Sequence, residues 1–158
     1  MQKIQNDNTF DYYLRDCLFT RTATKDMYED VLEKIIKHHI ILLVIESNVT
    51  SELKKALDDR LHARGLYFCE IVEKYNLENK QARITDQKGN IKRCLVFPKK
   101  GMYGINSDMG KAMNNLILYN ETGRNPNDDF PDACAMMCSE IIDGGCKPIK
   151  PKAIARPF

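Results

Sequence analysis

Residues 40–48 read Ile-Ile-Leu-Leu-Val-Ile-Glu-Ser-Asn, so that six apolar residues are followed at once by the carboxylate of Glu46. An apolar run this short and this rich in β-branched residues predicts a strand buried on both faces. In an open α/β sheet, ligands bind in the crevice beyond the carboxyl ends of the strands. Glu46 is therefore a candidate functional residue. The alternative is a glutamate that ends a strand in solvent.

Strand and helix patterns alternate on both sides of this stretch. In order, we predict a hairpin of residues 2–5 with 11–19, an amphipathic helix over 24–38, the strand over 40–46, a helix over 50–65 and a strand over 66–72. This alternation predicts an α/β fold whose later strands are parallel, because each crossover helix returns the chain in the same direction.

The second half of the chain is predicted to be mainly helical. The expected elements are a basic helix over 79–93, a loop over 97–104, a helix from about Ser107, a polar turn over 124–129 and a helix over 129–142. A length of 158 residues with 43% hydrophobic content suits one domain, which we place at 1–146. Residues 147–158 are predicted to form an extended basic tail.

Basic residues are concentrated in two blocks, although the formal net charge is only +2. Residues 80–100 carry seven lysines and arginines against the single acid Asp86, and the last twelve residues carry four basic residues and no acid. Two such blocks suit a polyanionic partner. No apolar stretch approaches the length of a membrane span, so we expect no membrane partner.

The cysteines and histidines do not follow the spacing of metal sites or disulfide frameworks. Cys134 and Cys138, four residues apart on a predicted helix, are interpreted as small buried hydrophobic residues in a reducing cytosol. The three histidines are expected at solvated helix ends or on a charged helix.

Residues 127–133 read Asn-Asp-Asp-Phe-Pro-Asp-Ala and place three carboxylates at the start of a helix. Helix capping explains one or two of Asp128, Asp129 and Asp132. A third acid adds repulsion that a divalent cation would relieve. If Glu46 lies at the same rim, the acids could hold two metal ions that hydrolyse phosphodiesters, which predicts a nuclease site.

Four stretches match, in order, the pattern of a known family. They are Tyr-Leu-Arg-Asp-Cys-Leu-Phe-Thr at 13–20, Val-Ile-Glu-Ser-Asn at 44–48, Asn-Lys-Gln-Ala-Arg-Ile at 79–84 and Asn-Asp-Asp-Phe-Pro-Asp-Ala-Cys-Ala-Met at 127–136. The closing Arg-Pro-Phe at 156–158 is also similar to the tails of this family. In these stretches the chain resembles the C-terminal nuclease domain of the phage terminase large subunit, which is ribonuclease-H-like and cuts concatemeric DNA during packaging.

The resemblance implies an Mg²⁺- or Mn²⁺-dependent DNA endonuclease with a two-metal site, in the cytoplasm of a bacterial host. By resemblance, Glu46 and the Asp128/Asp129 pair bind metal as catalytic carboxylates, with Asp132 in support. The DNA-binding residues would be Lys80, Arg83, Lys88, Lys92 and Arg93. Double-stranded DNA is the implied substrate, and other terminase or portal components are possible partners.

The sequence departs from the family at its beginning. The first catalytic aspartate of the family lies on an opening, central strand, and no equivalent precedes residues 11–19. We therefore expect a ribonuclease-H-like mixed sheet, flanked by helices, that lacks its first strand. No phosphate-binding loop of the ATPase half is present. The alternative functions are an inactive DNA-binding or assembly module and a small structural protein with solvated charge.

Overall fold

The computed structural model describes residues 11–19, 24–46, 52–75, 78–123, 125 and 127–142. These residues form a mixed α/β structure with five helices and short parallel strands. In chain order the elements are β1 (Tyr12–Tyr13), α1 (Thr24–His38), β2 (Leu42–Glu46), α2 (Glu52–Ala63), β3 (Glu70–Lys74), α3 (Lys80–Cys94), β4 (Leu95–Val96), α4 (Asp108–Leu118) and α5 (Asp129–Ile142).

The chain divides into two compact units, each built from separate segments. The β2/β3 unit comprises the described residues within Arg15–Asn79 and Pro98–Asn114. The α3/α5 unit comprises those within Met1–Leu14, Lys80–Phe97 and Asn115–Phe158. The tail predicted over 147–158 lies outside the described residues, so that boundary stays a prediction.

In the β2/β3 unit, β2 and β3 pair in parallel, with Leu42 opposite Glu70 and Glu46 opposite Lys74. Helix α2 connects the two strands, which confirms the predicted crossover. The strand expected over 66–72 begins later, at Glu70, because the chain first leaves α2 through a turn.

The core of the β2/β3 unit lies between this sheet and helices α1 and α2. Its buried residues are Leu32, Ile35, Leu57, Leu61 and Ile71. Leu43 and Ile45 of β2 pack against this core, whereas Leu42 is 40% exposed. The prediction that this strand is buried on both faces is therefore wrong. A parallel strand is buried on both faces only where helices cover both faces of its sheet. In the described part of this unit, α1 and α2 pack into the same core, on one face of the sheet.

Helix α2 ends at Ala63, and Gly65, the residue predicted to stop the helix, lies in the turn that closes it. The N–H of Gly65 donates to the carbonyl of His62 at 2.9 Å, and that of Leu66 donates to the carbonyl of Leu61 at 3.0 Å. This is a Schellman motif, in which the residue after the helix adopts a positive φ. Gly65 has φ +69°, and His39 takes the same role after α1 with φ 49°.

The second strand of the predicted hairpin is correct only for Tyr12 and Tyr13, and it pairs in parallel with β4 rather than in a hairpin. Beyond it, carboxylates replace strand partners as hydrogen-bond acceptors. Asp16 accepts from the backbone N–H of Cys17 at 2.8 Å, and Asp108 accepts from that of Phe19 at 3.2 Å. Such local side-chain bonds compete with sheet ladders. The predicted first strand lies outside the described residues.

Asp16 also attaches this segment to the end of α1. Its carboxylate lies 2.9 Å from Lys34 Nζ, 3.7 Å from Lys37 Nζ and 2.7 Å from His38 Nε2. Burial alone would raise the pKa of Asp16, but the hydrogen bonds from His38, Lys34 and Cys17 together lower that pKa well below its usual range. Asp16 is therefore ionised wherever the protein is folded at neutral pH.

Helix α4 begins where Ser107 was predicted to start a helix. The hydroxyl of Ser107 accepts a hydrogen bond from the N–H of Gly110 at 3.1 Å, which caps the first turn. Gly110 is buried, and a Cβ at this position would overlap the carbonyl oxygens of Gly104 and Ile105. Only glycine lets the helix approach the preceding backbone this closely.

In the α3/α5 unit, α3 and α5 pack along each other. Ile84, Cys94, Cys134 and Cys138 are buried in this contact region. Burial raises the pKa of the Cys134 thiol to about 12 and that of Cys138 to about 11. The interpretation of these two cysteines as small buried hydrophobic residues is confirmed. Among the described helices, none has both the length and the apolar character needed to cross a membrane.

Candidate functional site

The three predicted aspartates lie at the start of α5, in the α3/α5 unit. The N–H of Asp132 donates to the carbonyl of Asp128 at 3.0 Å, which makes Asp128 the N-cap residue. Asp129 and Asp132 occupy the first turn. The capping explanation therefore accounts for their positions, since the helix dipole favours negative charge at this end.

Lys80, the first residue of α3, bridges two of these acids. Its Nζ lies 2.8 Å from Asp128 Oδ1 and 2.7 Å from Asp129 Oδ1. Burial by itself would lower the pKa of Lys80, but hydrogen bonds to both carboxylates raise it above the ordinary value. The ammonium group is therefore charged at neutral pH. Asp129 remains open to solvent, with 76% of its side chain exposed.

Arg83 binds the third acid in a bidentate pair. Its Nε donates to Asp132 Oδ1 and its Nη2 donates to Asp132 Oδ2, each at 2.8 Å. Both residues are buried, with 5% and 6% exposure. The fork geometry of a guanidinium matches a carboxylate in this arrangement. This pair anchors the first turn of α5 to the first turn of α3.

The two ion pairs join α3 and α5 at matching positions along the two helices. Lys80 pairs with Asp129 and Arg83 with Asp132, and each pair spans 49 residues of sequence. The two helices therefore run in the same direction at this end. The first turn of α3 contains two cations and no acid, which its dipole disfavours, and the acids of α5 compensate for that charge.

Glu46 is the last residue of β2, as predicted, and belongs to the β2/β3 unit. Its neighbour in the sheet register is Lys74 at the end of β3. The adjacent Ser47 and Asn48 lie outside the described residues.

The basic residues predicted to bind DNA differ in exposure. Arg83 is buried against Asp132, and Lys80 is held by Asp128 and Asp129. Lys88, Lys92 and Arg93 are exposed on α3, and Lys88 forms an ion pair with Glu121. These three residues form the basic surface of α3, which could contact phosphates. The basic residues of the predicted tail lie outside the described residues.

The acids fit a divalent cation in part. One oxygen of Asp128 and one of Asp129 converge on a single point, which Lys80 Nζ occupies. Mg²⁺ is often held by one or two carboxylates, together with water and substrate phosphates. Within the described residues of either unit, however, no group of three or more His, Cys, Asp and Glu side chains could hold a metal ion. Lys80 and Arg83 here relieve the repulsion among the three aspartates, for which a divalent cation was expected.

The pairing of these cations with the acids was not predicted. The signal was present, because Lys80 and Arg83 repeat the three-residue spacing of Asp129 and Asp132. A second unpredicted residue is Tyr119, after α4, whose hydroxyl is buried and has no hydrogen-bond partner among the described residues. Burial, followed by the charges of nearby acids, raises the pKa of Tyr119. Sequence alone gives no sign of that environment.

Asn125 shapes the loop that leads into the site. Its side-chain Oδ1 accepts from the N–H of Asn120 at 2.8 Å, and its Nδ2 donates to the carbonyl of Asn120 at 2.6 Å. One side-chain amide thus pairs with both backbone groups of another residue. This closes the turn before Asp128, in the region predicted to be polar loop.

Comparison of the chain with protein-family models, curated proteins and solved structures found no match. The terminase resemblance therefore rests on the four stretches of sequence and on the chemistry of the residues within them.

Proposed function

We propose that this chain is a metal-dependent endonuclease domain of ribonuclease-H-like type that hydrolyses phosphodiester bonds of double-stranded DNA, as in terminase packaging. The observation that carries the proposal is the convergence of Asp128 and Asp129 oxygens on one cationic point, 2.8 and 2.7 Å away. Two carboxylate oxygens at such a point are the beginning of a hard-cation site. The sequence resemblance supplies the reaction.

Each acid has a distinct role in this proposal. Asp128 and Asp129 would hold Mg²⁺ or Mn²⁺ after Lys80 moves away. The role of Glu46 as a metal ligand rests on the sequence resemblance alone. Asp132, fixed by Arg83, is a positioning residue that holds the first turn of α5. When bound, the metal supplies an activated water and stabilises negative charge on the leaving oxygen.

The basic surface of α3 would bind the DNA backbone. Exposed lysines and arginines contribute affinity by releasing counterions from phosphates. Replacing Lys92 with glutamine should weaken binding to all sequences alike and reduce the salt dependence of log K by about 1. A filter-binding titration at several salt concentrations would measure this slope.

The second candidate is an inactive DNA-binding or assembly module. The bridge from Lys80 to Asp128 and Asp129 favours it, because an internal ammonium group already forms ion pairs with both acids at the point where a metal ion would bind. In this case the pair is a structural ion pair, and DNA binding needs no metal.

Plasmid nicking in Mn²⁺, with EDTA as the metal-free control, separates the two functions. For the nuclease, Asp129→Asn should lower the nicking rate by more than the roughly 10- to 100-fold loss typical of residues that only support a ligand. Asp86→Asn, which removes an exposed acid of α3, is the matched control and should leave the rate unchanged. Nicking that survives Asp129→Asn contradicts this site. Absence of nicking, with DNA binding that falls with salt, would favour the module.

A further inference from the structure

The α3/α5 unit contains a groove of about 540 Å³ beside the site just described. Its apolar lining includes Ile84 and Ile91 of α3, Leu95 of β4 and Leu116 of α4. This volume falls within the range of small-molecule sites, which are mostly apolar with a few polar groups. The groove thus has the size and lining to enclose an apolar group of moderate size.

The charges at the groove specify the sign of its ligand. Lys88 and Lys92, one turn apart on α3, line it together with Glu121, so two positive charges face one negative charge. Lys88 and Glu121 form an ion pair with each other, and Gln81 also donates to the carbonyl of Glu121 at 2.9 Å. Glu121 is therefore held by two residues of α3, and its carboxylate is paired with Lys88. Among these three charged groups, Lys92 is the one that forms no ion pair with the other two.

We infer that this groove binds a small organic anion, with its apolar body against Ile84, Ile91 and Leu116 and its acidic group at Lys92. An inorganic anion would gain little, because Lys88 and Lys92 are both exposed to water. A neutral apolar molecule would leave the ammonium group of Lys92 unused. This inference shares Lys88 and Lys92 with the proposed DNA-binding surface, but it requires neither the acids of α5 nor a metal ion nor DNA, so it can fail or hold whatever the outcome of the nicking assay.

The probe for this inference is 1-anilinonaphthalene-8-sulfonate, an aromatic anion whose fluorescence rises in apolar surroundings. We expect saturable binding of one molecule per chain. Lys92→Gln should weaken binding roughly twofold to fivefold, the range for a charge pair at an exposed position. Arg93→Gln is the matched control, since it removes the same charge from the neighbouring position, which does not line the groove. It should change binding less than Lys92→Gln does.

Two further measurements test the apolar part. Leu116→Trp should fill the groove and abolish saturable binding, with far-UV circular dichroism confirming that the variant is folded. The neutral analogue N-phenyl-1-naphthylamine should bind more weakly than the sulfonate, and Lys92→Gln should not affect it. The inference is overturned if the sulfonate does not saturate, if the folded Leu116→Trp variant still binds it, or if Lys92→Gln and Arg93→Gln have equal effects.

Discussion

Replacement of Asp132 by asparagine should destabilise the protein by about 3–5 kcal/mol, the usual cost of leaving one partner of a buried ion pair alone. The structure supports this magnitude, because Asp132 accepts two hydrogen bonds from Arg83 at 2.8 Å in a site with 6% exposure. Two hydrogen bonds to a charged group, at about 1.5–3 kcal/mol each, give a similar sum. Asparagine preserves the shape of the side chain, so the loss would come from charge rather than from packing.

A double variant isolates the cost of the unpaired charge. Asp132→Leu combined with Arg83→Met removes both charges and keeps the site filled, so it should be much less destabilised than Asp132→Asn alone. Lys80→Gln provides the exposed comparison. Its partner Asp129 is 76% exposed, and surface ion pairs contribute about 0–1 kcal/mol.

Urea denaturation followed by circular dichroism would measure these differences, provided that the slope of each transition is unchanged. The reasoning is refuted if Asp132→Asn costs no more than Lys80→Gln. It is equally refuted if the effects of the two substitutions in the apolar double variant simply add, because coupled residues should depart from additivity.

Three further predictions concern other parts of the molecule. Gly110→Ala should lower the free energy of unfolding by about 1–3 kcal/mol, the usual cost of overpacking, because the new Cβ would overlap the carbonyl oxygen of Gly104. An unchanged midpoint in urea denaturation would contradict that contact. Tyr119→Phe should leave stability unchanged or raise it by about 1 kcal/mol, because it removes a buried hydroxyl that has no partner in the part of the chain that the structure describes. A clear loss of stability would mean that the hydroxyl is hydrogen-bonded. The pKa of Asp16 is lower in the folded state than in the unfolded state. The carboxylate therefore contributes fully to stability above its unfolded pKa of about 4, and this contribution declines as the pH falls from there towards the folded-state pKa. We expect Asp16→Asn to cost about 1 kcal/mol at pH 7, which includes loss of the pair with Lys34, and denaturation at pH 3 should show a smaller cost.

Helices were the part of the fold most readily predicted from sequence. Helix α5 has the predicted bounds. Helix α1 begins at Thr24 and α4 begins directly after Ser107, as predicted, and α2 ends two residues before Gly65. Capping and amphipathic spacing are local, so a single sequence contains them in full.

The strands and the site depended on partners that a single sequence does not identify. The segment after Tyr13 has strand-like composition, but Asp16 and Asp108 take its backbone donors. Likewise, the three acids were evident in the sequence, whereas their ion pairs with Lys80 and Arg83 could be predicted only by knowing that α3 lies beside α5. Charge clusters in sequence therefore leave open whether a metal ion or a side chain balances them.

The division of the chain into units built from alternating segments has a consequence for fragmentation and synthesis. The chain passes between the units four times, at 14/15, 79/80, 97/98 and 114/115. No single proteolytic cut can release either unit as one continuous fragment. During synthesis, the β2/β3 unit has all its segments once residue 114 has emerged, whereas the α3/α5 unit must wait for α5. Asp128 follows Lys80 by 48 residues and Asp132 follows Arg83 by 49, so a nascent chain contains both cations well before the acids that pair with them in the folded protein.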